Sequence, residues 1–130
     1  MGISVEEEVI DAIKLFREVR VLYIEASILE AMWKIVRIVP PEELGVVREG
    51  VEAIRNTYVQ VVPGGSAFLE AHRLYRKGHR DLIDDLLYAT SKERGVPFLT
   101  IDEEFVEFLR SVHEDTSLVI TPENFRKMLR

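Results

Sequence analysis

The chain contains no cysteine. That single absence excludes disulfides, thiolate zinc sites and cysteine nucleophiles. Its three histidines, His72, His79 and His113, stand too far apart to suggest a His-rich zinc site. No apolar run approaches the ~18 residues that a membrane span needs. The opening stretch MGISVEEEV is acidic and lacks an apolar core, so it does not read as a signal peptide. These absences predict a cytoplasmic protein with no membrane partner. Side-chain amides are confined to Asn56, Gln60 and Asn124, and arginine outnumbers lysine. Few thermolabile residues beside many charges fit a thermophilic source.

What is present fits one folded domain over residues 1–130. Hydrophobic residues make up 47% of the chain, which rules out general disorder. A formal net charge of −6 argues against a broad basic surface for indiscriminate nucleic-acid binding. It leaves room for a local basic rim beside an acidic site.

Apolar periodicity predicts a helix over residues 5–19, with Val9, Ile10, Ile13, Phe16 and Val19 on one stripe. A short strand at 21–25 follows, then a helix from Ser27 to about Arg37 that Pro40 and Pro41 end. Pro41 opens another helix over 41–56, and 57–62 reads as a second strand. Ser66 is expected to cap a helix closed near Gly78, and a further helix runs from about His79 to Arg94. Residues 98–101 form a third strand, Asp102 begins a helix to about Val112, 118–121 is a fourth strand, and Pro122 starts the last helix. About four strands alternating with six to seven helices predict an α/β fold: three layers, α/β/α, with a mainly parallel central sheet. In such sheets chemistry collects at the carboxyl ends of the strands.

Acids in three stretches satisfy that rule. Glu30 lies in the helix after the first strand, Asp84 and Asp85 lie early in the helix before the third strand, and Asp102 follows that strand directly. Carboxylates gathered at one edge repel each other, and a hard divalent cation, Mg²⁺ or Mn²⁺, is the usual compensation. Each acid also has a plainer reading. Glu30 can be a solvent-facing charge or an i,i+4 partner of Lys34. Asp84 and Asp85, with Asp81, can complement a helix N-terminus. Asp102 can be an N-cap with Phe105 packed inside.

Residues 81–105, DLIDDLLYATSKERGVPFLTIDEEF, carry Asp84, Ala89-Thr90, Gly95-Val96-Pro97, Thr100, Asp102 and Phe105 in fixed order. This stretch resembles the signature of the PIN domain family, including VapC-type toxin ribonucleases. Residues 28–33 resemble the family's helical Glu segment, and 118–123 resemble its last strand and final helix. The resemblance extends over about residues 5–128. It implies a metal-dependent ribonuclease that hydrolyses phosphodiesters of single-stranded RNA. By position, Glu30, Asp84 and Asp102 would be the catalytic and metal-binding carboxylates for one or two Mg²⁺ or Mn²⁺, with Thr100 supporting them through its hydroxyl. Asp85 stands where the family usually has a small residue. It is either an exposed charge, the preferred reading, or a supporting group. The resemblance further implies a homodimer and, for a toxin, a small antitoxin protein.

The family normally opens with a central strand ending in Asp, and no such strand is found in this sequence. The domain therefore reads as shortened at its N-terminus, with weakened metal binding. Glu25 offers a minor rival alignment for the missing acid. The sheet is expected either to pair 21–25 directly with 98–101 or to take a strand from another molecule. Arg73, Arg76, Lys77 and Arg80, close to Asp84 in sequence, form the candidate phosphate-docking rim; equally, they can be a solvated helix end. Trp33 reads as core or dimer interface rather than as a base-stacking platform. The alternative function, from another class, is a non-catalytic PIN-like binding or assembly domain. A receiver-like phosphoacceptor domain fits poorly, because its acid pair after the first strand is missing.

Overall fold

The computed structural model describes residues 5–129, and side chains from residue 7 onward. The chain forms two compact units, one of residues 5–19 with 63–129 and a smaller one of Arg20–Val62.

In chain order, α1 (Val5–Lys14) continues into a 3₁₀ turn at Leu15–Glu18. The smaller unit follows with β1 (Leu22–Tyr23), α2 (Glu25–Ile35), a 3₁₀ turn at Pro41–Glu43, α3 (Leu44–Thr57) and β2 (Val59–Gln60). The larger unit resumes with α4 (Gly65–Lys77), α5 (Leu82–Arg94), β3 (Phe98–Leu99), α6 (Glu103–Ser111), β4 (Val119–Ile120) and α7 (Pro122–Met128). Among the described residues this makes seven α-helices and four short strands, the α/β composition that the periodicity predicts.

Within the smaller unit β1 and β2 are parallel, with Leu22 opposite Val59 and Tyr23 opposite Gln60. The Val61 amide donates to the Tyr23 carbonyl at 2.8 Å. Glu25 does not end the strand as expected. It opens α2, where the positive end of the helix dipole favours its charge, and it pairs with Arg55 of α3. Trp33, on α2, is 66% exposed, so it is not a core residue.

In the larger unit β3 and β4 are parallel, with Phe98 opposite Val119 and Leu99 opposite Ile120. Residues 21–25 and 98–101, expected to pair directly, each have another strand of their own unit as partner among the described residues. Backbone hydrogen bonds of β1 go to β2 and those of β3 to β4, giving two two-stranded sheets among the described residues.

The core of the larger unit is Leu74 from α4, Tyr88 from α5, and Phe105 and Leu109 from α6, packed with Phe98, Phe108 and Val119. Ala67 and Ala71 on α4 and Ala89 on α5 are buried, and small side chains let the two helices pack closely. The Tyr88 hydroxyl donates to the Asp115 carbonyl at 2.6 Å, which satisfies the one polar atom that this ring brings inside. The helix α1 and the 3₁₀ turn after it pack on α7: Phe16 of the turn lies against Phe125, ring centroids 5.9 Å apart, and Asp11 of α1 holds Arg126 at 3.3 Å. This contact turns Ala12 inward and leaves Ile10 and Ile13 about half exposed, unlike the expected stripe.

Two helix starts differ from expectation. The N-cap of α4 is Gly64, so Ser66 lies inside the helix. The helix α5 starts at Leu82 because the Asp81 carboxylate accepts from the amides of Ile83 and Asp84 at 3.1 and 3.2 Å. That cap leaves His79 and Arg80 in the connecting turn. At the other end Gly95 takes φ +67°, and the Val96 amide reaches back to the Ser91 carbonyl at 3.1 Å. A side chain would be strained there, so the Gly95-Val96-Pro97 turn depends on glycine.

Candidate metal centre

The site is built on the Asp81-capped start of α5. Capping fixes the first turn of that helix, and Asp84 projects from it. Asp102 arrives from the end of β3, held at two points: its amide donates to the Thr100 hydroxyl at 3.1 Å, and its Oδ1 accepts from the Phe105 amide at 3.0 Å. The plainer reading of Asp102 as an N-cap over a packed Phe105 therefore describes its geometry, and the cap sets where the carboxylate lies. Phe105 is wholly buried, so the start of α6 is anchored in the core.

His79 completes the group. Gly78 ends α4 with φ +126°, and a Cβ there would meet only Phe108 Cε1 at 3.9 Å. The requirement for glycine is thus one of backbone conformation, not of space. That reversal brings His79 over the core, its ring centroid 4.5 Å from that of Phe105 and 5.2 Å from that of Phe108. One donor atom each from His79, Asp84 and Asp102 lie within 4.8 Å of one another. With bond lengths of ~2.1 Å, three donors this close suit a single divalent ion after small side-chain adjustments. The donor set, two carboxylates and one imidazole, fits a divalent transition ion such as Mn²⁺ and, through its oxygens, Mg²⁺.

Asp85 corrects the preferred expectation. It is not an exposed charge: its exposure is 0%, and its Oδ1 lies 2.7 Å from His79 Nδ1. Its Oδ2 has no hydrogen-bond partner among the described residues. Burial pushes its carboxyl up to about 6; the hydrogen bond and charge of His79 act in the opposite sense, and Asp81 adds a further upward push. An ionised Asp85 only accepts, so in the neutral imidazole that partners it the hydrogen lies on Nδ1 and Nε2 carries the lone pair.

The other predicted positions are distributed as follows. Glu30 lies on α2 of the smaller unit, with Lys34 Nζ 3.8 Å from its Oε1, the i,i+4 arrangement weighed for it. Arg73 is held by Glu70, Nε to Oε2 at 3.0 Å, and by Glu114, Nη2 to Oε1 at 2.8 Å. These bonds raise its pKa further above the ordinary guanidinium range. Lys77 reaches Glu114 Oε2 at 3.6 Å, and Lys92 reaches both acids. Arg76 is exposed, and the Arg80 guanidinium lies 5.4 Å from the centroid of the Tyr75 ring. Half of the basic rim is therefore tied to Glu114, whose side chain is only 10% exposed.

Two residues were not picked out as site members by sequence reasoning: His79 and Glu114. For His79 there was a signal, a histidine just after a helix-ending glycine and two residues before an Asp N-cap, which returns it to the start of the next helix. Glu114 gave none, because its partners Arg73, Lys77 and Lys92 are 41, 37 and 22 residues away.

No helix among the described residues is long and apolar enough to cross a membrane. No curated protein and no solved structure gives a significant match to the chain. The family model described as PIN domain matches residues 3–109, a span that contains α5, β3, Thr100, the Asp81 cap and all three members of the His79–Asp84–Asp102 group. The chain belongs to the PIN domain family, which points to nuclease chemistry in general.

Proposed function

We propose that the protein is a metal-dependent ribonuclease, hydrolysing phosphodiesters of single-stranded RNA at the Asp84–Asp102 edge. The observation that carries this reading is the convergence of Asp84 and Asp102 with His79 inside 4.8 Å, within the span that the family model matches. A bound divalent ion, Mg²⁺ or Mn²⁺, supplies there an activated water and charge neutralisation for the phosphate. Asp84 and Asp102 hold it. The Thr100 hydroxyl fixes the Asp102 backbone, and the Asp81 cap fixes that of Asp84. Glu30 is the third carboxylate; its part rests on the family resemblance and is tested by Glu30→Gln.

Exposed Arg76 and Arg80 are the cations available for backbone phosphates, while Arg73 and Lys77 chiefly hold the helix end in place. A cytoplasmic homodimer acting as the toxin of a toxin–antitoxin pair, with an antitoxin covering the site, is the biological setting that the resemblance supports. The test is cleavage of a labelled single-stranded RNA with Mn²⁺, Mg²⁺ or chelator, for wild type, Asp84→Asn and Asp102→Asn. Cleavage that needs the ion and is lost in both variants is expected. Equal cleavage in wild type and both variants would remove the assignment, and cleavage by none of the three would leave a binding or assembly domain.

A further inference from the structure

Carboxylates alone would make this an oxygen site, yet an imidazole shares it. We propose that His79 Nε2 is a direct ligand of the cation beside Asp84 and Asp102, that Asp85 is the positioning residue that orients this imidazole, and that the nitrogen makes the site prefer Mn²⁺ over Mg²⁺. The inference rests on the metal-dependent reading above and adds a ligand and a selectivity to it.

The geometry points the same way from three sides. His79 belongs to the 4.8 Å group, and its Nδ1 is taken by Asp85 at 2.7 Å, which leaves Nε2 as its donor to a metal. A carboxylate behind a histidine fixes tautomer and ring orientation and makes the other nitrogen a better donor. Asp85 is wholly buried, and one of its oxygens has no hydrogen-bond partner among the described residues. A charge so placed is costly unless a nearby positive charge offsets it, and a cation bound through His79 supplies that charge. The rings of Phe105 and Phe108 restrict the imidazole from the sides, so its orientation does not depend on the ion.

The chemical consequence follows from ligand softness. Mg²⁺ is hard, holds oxygen ligands and gives up its waters reluctantly. Mn²⁺ accepts an imidazole nitrogen more readily, so one nitrogen among oxygens shifts the balance toward it. His72, exposed on α4, and His113, beyond α6, take no part in this group.

The test uses untagged full-length protein loaded with Mn²⁺ alone and examined by pulsed electron paramagnetic resonance, with Mn²⁺ and Mg²⁺ affinities measured by calorimetry. Wild type is expected to show a nitrogen bonded directly to Mn²⁺. His79→Gln is expected to lose that coupling and to bind Mn²⁺ about tenfold or more weakly, while Mg²⁺ affinity changes much less. Asp85→Asn should keep the coupling and weaken Mn²⁺ by about ten- to hundredfold. Bound Mn²⁺ without a nitrogen ligand in the wild type, or an unchanged Mn²⁺ to Mg²⁺ ratio in His79→Gln, would overturn the inference and leave the carboxylate site standing. Failure of the wild type to bind either ion would overturn both.

Discussion

The Asp102 carboxylate accepts the Phe105 amide hydrogen at 3.0 Å, so one side chain both caps α6 and faces the metal group. The two roles make different demands. Capping needs an oxygen acceptor; holding a cation needs the negative charge. Asparagine meets the first and not the second.

Asp102→Asn should therefore leave stability within about 0.5 kcal/mol of wild type and abolish metal-dependent cleavage. Asp102→Ala should lose cleavage as well and a further ~1 kcal/mol from the missing cap. Urea unfolding beside the cleavage assay separates the two. An Asp102→Asn protein as unstable as Asp102→Ala would mean that the charge itself holds the fold.

Phe105→Ala should cost about 3–5 kcal/mol, because the ring is fully buried against Leu74, Tyr88 and Leu109 and its loss leaves a cavity. Against a typical stability of ~5–15 kcal/mol that is a large share, visible as a much lower unfolding temperature. The same ring packs on His79, so the variant should also bind Mn²⁺ more weakly.

The α5–β3–α6 stretch was legible because its signals are local. An Asp N-cap, a glycine that must take positive φ, a proline after it and an Asp leading into α6 each act within a few residues. Thr100 was set beside Asp102 by the family resemblance, not by spacing. Burial of Asp85 was not legible, since adjacent aspartates in a first helical turn look alike and only the packing of His79 over Phe105 decides which is inside. Strand partners were equally hidden. Apolar runs reveal β1 and β3, but their hydrogen bonds go to β2 and β4, which lie 37 and 21 residues further on in register. The fate of Arg73 and Lys77 depended on Glu114, which no short motif announces.

The Glu70 carboxyl lies below its usual range, chiefly through its hydrogen bonds with Arg73. A depressed carboxyl contributes stability above its unfolded value near 4.5, and that contribution is lost as pH falls through the lower folded value. Wild type should exceed Glu70→Gln at pH 7 by up to about 1 kcal/mol, since the side chain is 27% exposed and partly screened. The difference should shrink below pH 4.5, as urea unfolding across pH 3–7 would show. A gap that widens on acidification would contradict the pairing.

Exposed and tied cations should separate in RNA binding. Arg76→Ala and Arg80→Ala should each reduce the salt dependence of single-strand affinity by about 0.7 in the log–log slope, with little loss of stability. Arg73→Ala should instead destabilise by about 1–3 kcal/mol, because Glu114 is left nearly buried without its closest partner. Salt titration of binding in cleavage-inactive Asp84→Asn measures the first effect, and thermal unfolding the second. An unchanged slope for both exposed arginines would place the RNA elsewhere.

The most direct measurement of the central claim is the cleavage rate of single-stranded RNA by wild type and Asp84→Asn across a Mn²⁺ titration. The wild-type rate should rise with Mn²⁺ and vanish in chelator, and Asp84→Asn should fall about a hundredfold or more at every concentration. Cleavage by wild type in chelator at its full rate, or an Asp84→Asn curve that overlays the wild type, would contradict it.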